Sequence, residues 1–74
     1  MSHDEKLALL AQIEGYKDVQ AFLLKEAGDA VIPGICTNQR CDYTTGVEPD
    51  AQDAWCELCE ETTVASALIL AGLI

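Results

Sequence analysis

The four cysteines are the residues of this chain whose type and spacing most clearly suggest chemistry. They form two close pairs, Cys36 with Cys41 and Cys56 with Cys59, and residues 42–55 separate the pairs. Two cysteine pairs separated by a segment of hairpin length usually deliver four thiolates to one tetrahedral zinc ion. Four protein ligands leave zinc no open coordination position. The pattern therefore predicts one structural Zn²⁺ site and no catalytic metal.

The same ligands also suit iron, either in a rubredoxin-like centre or in a [2Fe–2S] cluster. Rubredoxin knuckles are normally both Cys-x-x-Cys followed by glycine. In this chain the first pair is Cys-x4-Cys, and Glu60 follows the second pair. We therefore favour zinc and keep an electron-transfer protein as the alternative.

A thiol redox protein is a further alternative. The run Trp-Cys-Glu-Leu-Cys at positions 55–59 superficially resembles the thioredoxin motif Trp-Cys-x-x-Cys. That motif follows a buried strand in a fold of about a hundred residues. Because residues 49–54 are too polar to be such a strand, redox catalysis is disfavoured.

Two structural disulfides would use the same four residues in an exported protein. The opening sequence Met-Ser-His-Asp-Glu-Lys has no basic region followed by an apolar run, so it does not resemble a secretory signal. We therefore expect a cytoplasmic protein, in which thiols stay reduced. This expectation favours a metal site over disulfides.

The size and charge of the chain limit its partners. At 74 residues we expect a single domain over residues 1–74, whose core alone supplies about 3–5 kcal/mol. The formal net charge is −9, and the four Lys and Arg residues are scattered along the chain. Nucleic-acid binding requires clustered basic residues, so we expect no nucleic-acid partner. We expect a protein partner of unknown identity, and a monomer or weak homodimer.

Residues 3–27 are predicted to form two short helices, or one kinked helix, that cover the metal lobe. Ser2 followed by Glu5 fits a capping box, and Asp18 is a good N-cap for a second helix. Gly15 interrupts the apolar pattern between them, and Gly28 is placed to end the second helix.

Residues 31–61 are predicted to form the zinc-binding lobe. Val31 and Ile32 suit a short strand before a turn at Pro33-Gly34. The β-branched run 43–47 and a return strand at residues 54–55 are predicted to pair as a hairpin that places Cys56 near Cys41.

Residues 62–74 are predicted to form a C-terminal apolar helix, with Thr62 or Thr63 as its N-cap. The uncharged stretch 64–74 is too short to span a bilayer, which takes about 20 residues. We expect its apolar side chains to pack against the N-terminal helices or to contact a partner. The side chains in question are Ile69, Leu70, Leu73 and Ile74.

Other side chains suggest no additional site. His3 is remote in sequence from the cysteines, and Glu48, Asp50 and Asp53 lack the spacing of a Ca²⁺-binding EF-hand. The chain has no Ser-His-Asp set and no phosphate-binding glycine loop, so we expect no catalytic residues and no enzyme activity.

Five stretches of the second half lie around the cysteines: Ile32-Pro-Gly-Ile-Cys36, Cys41-Asp-Tyr-Thr-Thr45, Val47-Glu-Pro-Asp50, Trp55-Cys-Glu-Leu-Cys59 and Ser66-Ala-Leu-Ile-Leu-Ala-Gly-Leu-Ile74. In these five stretches, residues 32–74 resemble a group of small, largely uncharacterised bacterial zinc-ribbon-like proteins. The resemblance implies a bacterial cytoplasmic protein with one metal site at the four cysteines, and it implies no activity. The pair Glu60-Glu61 departs from this resemblance, because a glycine is expected directly after the second cysteine pair.

The predicted fold is thus a small metal-stabilised α+β domain. It consists of N-terminal helices, a four-cysteine zinc lobe and a C-terminal helix. The zinc lobe is either a zinc ribbon or treble-clef-like. The predicted function is a non-enzymatic structural zinc-binding module that acts through protein contacts as a small regulator or accessory subunit.

Overall fold

The computed structural model describes residues 2–74, which form a small α+β fold with a four-stranded antiparallel sheet. In chain order the elements are α1 (His3–Ile13), α2 (Val19–Glu26), β1 (Ile32–Cys36), β2 (Thr44–Val47), β3 (Ala54–Cys56), β4 (Glu61–Ser66) and α3 (Ala67–Leu70). The helices and one face of the sheet enclose the main core. None of the helices in residues 2–74 is long and apolar enough to cross a membrane.

The two N-terminal helices begin at the predicted caps. Ser2 Oγ accepts a hydrogen bond from the Glu5 backbone N–H at 3.2 Å, and Glu5 Oε1 accepts one from the Ser2 N–H at 3.1 Å. Asp18 Oδ1 accepts from the Gln20 N–H at 3.0 Å and starts α2. Gly15 has φ +89, a conformation that separates the helices and that glycine adopts without strain. The prediction of two short helices is therefore confirmed.

The prediction of a turn at Pro33-Gly34 is wrong, because both residues lie inside β1. Proline is tolerated at position 33 because only β2 pairs with β1 at this residue. β4 pairs with β1 only from Gly34 onward. A Cβ at Gly34 would lie 2.8 Å from Val47 Cγ2 and 2.9 Å from the Ala65 carbonyl oxygen. Glycine thus lets β1 pass between its neighbours and continue into Cys36.

The predicted hairpin between residues 43–47 and 54–55 is also wrong. Both segments are strands, but the sheet order is β2-β1-β4-β3, so they lie on opposite edges. β2 pairs with β1, and β3 pairs with β4, both antiparallel. The most buried strands, β1 and β4, occupy the centre, and the shorter, more exposed β2 and β3 form the edges.

The prediction of a C-terminal helix over residues 62–74 is wrong except at residues 67–70. Glu61–Ser66 forms β4, and the helix is only the single turn Ala67–Leu70. The β-branched run Thr62-Thr63-Val64 favours the extended backbone, and β1 offers it a pairing partner.

Ser66 makes the transition from β4 to α3 and also holds the connection between β2 and β3. Its Oγ accepts from the Ile69 N–H at 3.1 Å, as an N-cap, and donates to the Pro49 carbonyl oxygen at 2.5 Å. Its N–H donates to the Ala51 carbonyl oxygen at 3.0 Å. The crossing segment 48–53 is therefore tied to the end of the sheet that lies opposite the cysteines.

The main core forms between the helices and the central strands, and two of the four predicted C-terminal side chains belong to it. Leu70 is 3% exposed, and Ile69 packs against the same core, whereas Leu73 and Ile74 are 64% and 60% exposed. The buried members of this core are Leu7, Leu10, Ala11, Phe22, Leu23, Ile32, Ile35, Ala65, Ala67, Leu68 and Leu70.

Candidate metal centre

The topology of the sheet brings all four predicted cysteines to one end of the molecule. β1 and β3 both run antiparallel to β4, so their last residues, Cys36 and Cys56, lie at the same end of the sheet. Cys41 lies in the connection from β1 to β2, and Cys59 lies in the turn from β3 to β4. Two hairpin connections thus supply one cysteine pair each.

The four sulfurs form a compact cluster. Cys36 Sγ lies 3.8 Å from Cys59 Sγ, and Cys41 Sγ lies 3.7 Å from Cys56 Sγ. All four Sγ atoms lie within 4.8 Å of one another. Sulfurs bound tetrahedrally at about 2.3 Å from one ion lie about 3.8 Å apart, so this cluster can bind a metal ion.

The same distances do not support structural disulfides or a dithiol redox pair. Disulfide sulfurs lie about 2.05 Å apart, and all four cysteines here are free thiols. The sulfur contacts of 3.7 and 3.8 Å join one hairpin connection to the other, whereas a Cys-x-x-Cys redox site joins the two cysteines of one motif. β3, which ends at Cys56, is a three-residue edge strand in which Trp55 is exposed.

The turn that carries Cys56 stabilises the thiolate form of its side chain. Burial raises the pKa of the Cys56 thiol, but hydrogen bonds from the Cys59 and Leu58 N–H groups and from neighbouring thiols outweigh burial and lower the pKa to about 7. The Cys59 N–H lies 3.4 Å from Cys56 Sγ. The N–H groups of this Cys-x-x-Cys turn therefore point at the Cys56 sulfur, as they do in turns that bind a metal ion.

The thiols of Cys41 and Cys59 are harder to ionise when no cation is present. The Tyr43 N–H lowers the pKa of the Cys41 thiol, but burial and the three neighbouring cysteines outweigh it and raise the pKa to about 12. Asn38 and Cys41 lower the pKa of the Cys59 thiol, but burial and its hydrogen bonds with Cys36 and Cys56 outweigh them and raise it. Four thiolates at this spacing repel one another, so the fully ionised cluster needs a bound cation.

Sequence analysis missed Thr63 because it placed this residue in a helix. In β4, Thr63 Oγ1 lies 3.0 Å from Cys36 Sγ, where its hydroxyl can donate to a thiolate. The Thr63 carbonyl oxygen accepts from both the N–H and the Oγ1 of Thr37, each at 2.8 Å. Hydrogen bonds of this kind orient metal ligands, and only the pairing of β4 with β1 reveals them.

Glu60 occupies the position after the second cysteine pair where glycine was expected. Its φ is 54, in the left-handed region, and its N–H donates to the Cys56 carbonyl oxygen at 2.8 Å. The turn therefore adopts the backbone that glycine would favour, at a cost of about 1–2 kcal/mol for a residue with a Cβ. Strand β4, not the predicted C-terminal helix, follows Cys59 and this turn.

Lys6 is the second residue of the site that sequence analysis missed. Lys6 is 1% exposed, although the sequence analysis counted it only as one of four scattered basic residues. Its Nζ donates to the Cys41 carbonyl oxygen at 2.5 Å. No local pattern distinguishes it from an exposed lysine, except that it adjoins Leu7 on the buried face of α1.

The remaining candidates lie outside the cluster. His3 is an exposed residue of the first turn of α1, and Glu48, Asp50 and Asp53 are exposed in the crossing segment. Among the described residues, the four cysteines are the one group of three or more potential ligands close enough to share an ion.

Comparisons with the models of known protein families, with curated proteins and with solved structures find no match to this chain.

Proposed function

We propose that this chain is a non-enzymatic structural zinc-binding module in which Cys36, Cys41, Cys56 and Cys59 bind one Zn²⁺. The observation that carries the proposal is the set of sulfur distances, 3.7 and 3.8 Å, which match the edge of a ZnS4 tetrahedron. Zinc in such a site supplies a cross-link between the two hairpin connections. Because four thiolates fill its coordination sphere, the site is structural.

The arrangement of the cysteines favours a zinc ribbon over a treble clef. A treble clef takes its second ligand pair from the start of a helix, whereas Cys59 here is followed by strand β4. Two ligand pairs on two β-hairpins are the arrangement of a zinc ribbon. This supports the proposed kinship with small bacterial zinc-ribbon-like proteins and, with it, a cytoplasmic location.

An iron centre in an electron-transfer protein is the second candidate, because tetrahedral sulfur ligation also suits iron. The four sulfurs alone do not distinguish the two metals. Two features favour zinc. The first connection contains four residues between its cysteines, and Glu60 replaces the usual glycine of a rubredoxin knuckle.

Elemental analysis of the protein, purified without added metal, tests the proposal directly. We expect about one equivalent of zinc per chain and no visible absorption, because zinc is spectroscopically silent whereas iron–thiolate centres are coloured. A thiol titration of the native protein serves as the control and should find the four cysteines protected. One equivalent of iron with visible bands would overturn the zinc assignment in favour of electron transfer.

We further propose that the module acts through contacts with another protein. Trp55 and Leu58 beside the metal centre are 53% and 69% exposed, which is unusual for large apolar side chains on a small domain. Glu57 and Glu60 are exposed in the same segment, and the whole chain is acidic. A surface of this kind suits a partner with apolar side chains and a basic rim, as expected of a regulator or accessory subunit.

Titration with nucleic acids tests the partner class. We expect no saturable binding of short duplex DNA, single-stranded DNA or RNA at low salt, because Lys17, Lys25 and Arg40 are dispersed and Lys6 is buried. Fluorescence anisotropy of labelled oligonucleotides measures this, with a basic zinc-ribbon protein as positive control. Tight binding that weakens steeply with salt would refute the protein-contact proposal.

A further inference from the structure

Lys6 is a buried cation in a chain whose other basic side chains are exposed. Burying an ammonium group costs several kcal/mol unless an opposite charge lies close to it. The hydrogen bond that Lys6 Nζ makes is to the carbonyl oxygen of Cys41, which is neutral. A carbonyl satisfies a donor but does not compensate the charge, so the compensating charge must come from another group.

The acceptor residue itself points to that group. Cys41 belongs to the sulfur cluster, and its backbone carbonyl is the atom that Lys6 binds. With four thiolates and a divalent ion, the centre would carry a net charge of about −2. A buried ammonium beside this centre would offset part of that charge, and the centre would in turn stabilise the ammonium.

We propose that Lys6 is a positioning residue of the metal centre, which holds the β1–β2 connection through the Cys41 carbonyl and offsets the negative charge of the thiolates. This inference rests on the proposed metal site. It also links the two halves of the chain, because Lys6 lies on α1 beside Leu7, whose side chain is part of the main core. Metal binding and the docking of α1 are therefore coupled through one side chain.

The substitution Lys6→Met tests the role of the charge, since methionine keeps most of the apolar stem and removes the ammonium. Zinc affinity, measured by competition with a chromophoric chelator, should fall about 10- to 100-fold, as is usual when a group that hydrogen-bonds to a metal-ligating residue is lost. Lys17→Met is the matched control: it removes the same charge from an exposed position and should keep zinc affinity within about twofold.

Substitution of cobalt for zinc provides a spectroscopic measurement, the position of a charge-transfer band, that loss of packing alone would not change. Removal of a positive charge beside thiolates makes their electrons easier to transfer to the metal. The sulfur-to-cobalt charge-transfer band of Co²⁺-loaded Lys6→Met should therefore shift to longer wavelength, while that of Lys17→Met should match the original protein. Lys6→Arg, which keeps the charge, should retain the original band position.

The outcomes separate this inference from the proposed function. If the original protein binds neither zinc nor cobalt, the metal site itself is refuted. If it binds them, and Lys6→Met has unchanged affinity and an unchanged band, the role of Lys6 is refuted while the metal site stands. Should Lys6→Met not fold with zinc present, Lys6→Arg decides: a normal band supports the inference, and a shifted band overturns it.

Discussion

Replacement of Cys56 by serine should abolish the folded state of the sheet. Cys56 is fully buried, its sulfur lies 3.7 Å from Cys41 Sγ, and it ends β3 next to the turn that leads into β4. In small zinc domains the binding free energy is also folding free energy, about 10–16 kcal/mol in zinc-finger peptides. That exceeds the roughly 3–5 kcal/mol that a core of this size supplies.

Amide NMR spectra and metal content measure the effect. We expect Cys56→Ser to bind much less than one equivalent of metal and to lose the dispersed amide signals of the four strands, as should the original protein after chelation. Glu57→Gln, an exposed change in the same turn, is the control and should leave both unchanged. A native-like spectrum of the metal-free protein would show that the core, not the metal, maintains the fold.

Leu70→Asp should produce the second large loss of stability. Leu70 is 3% exposed in α3 and belongs to the core that also contains residues of α1 and α2. Loss of a buried leucine side chain alone costs about 2–5 kcal/mol, and a buried unpaired carboxylate adds to that cost. For a domain of this size, a loss of about 3 kcal/mol lowers Tm by roughly 12–24 °C, at 4–8 °C per kcal/mol.

Thermal unfolding followed by circular dichroism, with the metal bound, checks this expectation. Ile74→Asp is the matched control, because Ile74 belongs to the same apolar segment but is 60% exposed, and it should change stability by no more than about 0.5 kcal/mol. Sedimentation of each variant adds the oligomeric state. A folded Leu70→Asp protein that had merely lost self-association would mean that Leu70 serves a contact surface.

Some features of this protein follow from the sequence alone, because they depend on neighbouring residues. The capping box at Ser2 and the N-cap at Asp18 each act within one helical turn, so α1 and α2 begin where the local sequence predicts. The clustering of the four cysteines was also predictable, since two close cysteine pairs at these spacings are typical of a metal site. The sequence predicted a strand near Ile32 for a similar local reason, its β-branched residues.

Other features were decided only by tertiary structure, because strand pairing is not local. The residues of the run Thr62-Thr63-Val64 are all β-branched, which favours a strand, but good helix formers follow them. Periodicity alone therefore does not decide whether the run is strand or helix. Its pairing with β1 makes it β4, and this insertion moves β2 and β3 to opposite edges of the sheet.

Lys6 and Thr63 show the same limit at the metal centre. Each contacts a cysteine far away in the chain, Lys6 at the Cys41 carbonyl and Thr63 at the Cys36 sulfur. The sequence determined which four side chains can bind a metal, because that depends on residue type and on short spacings. Only the packing of α1 and β4 against the cysteine loops decided which groups surround these side chains. The reason is that a charge or a hydroxyl acts on a neighbour through their separation in space, which residue spacing in the sequence does not determine.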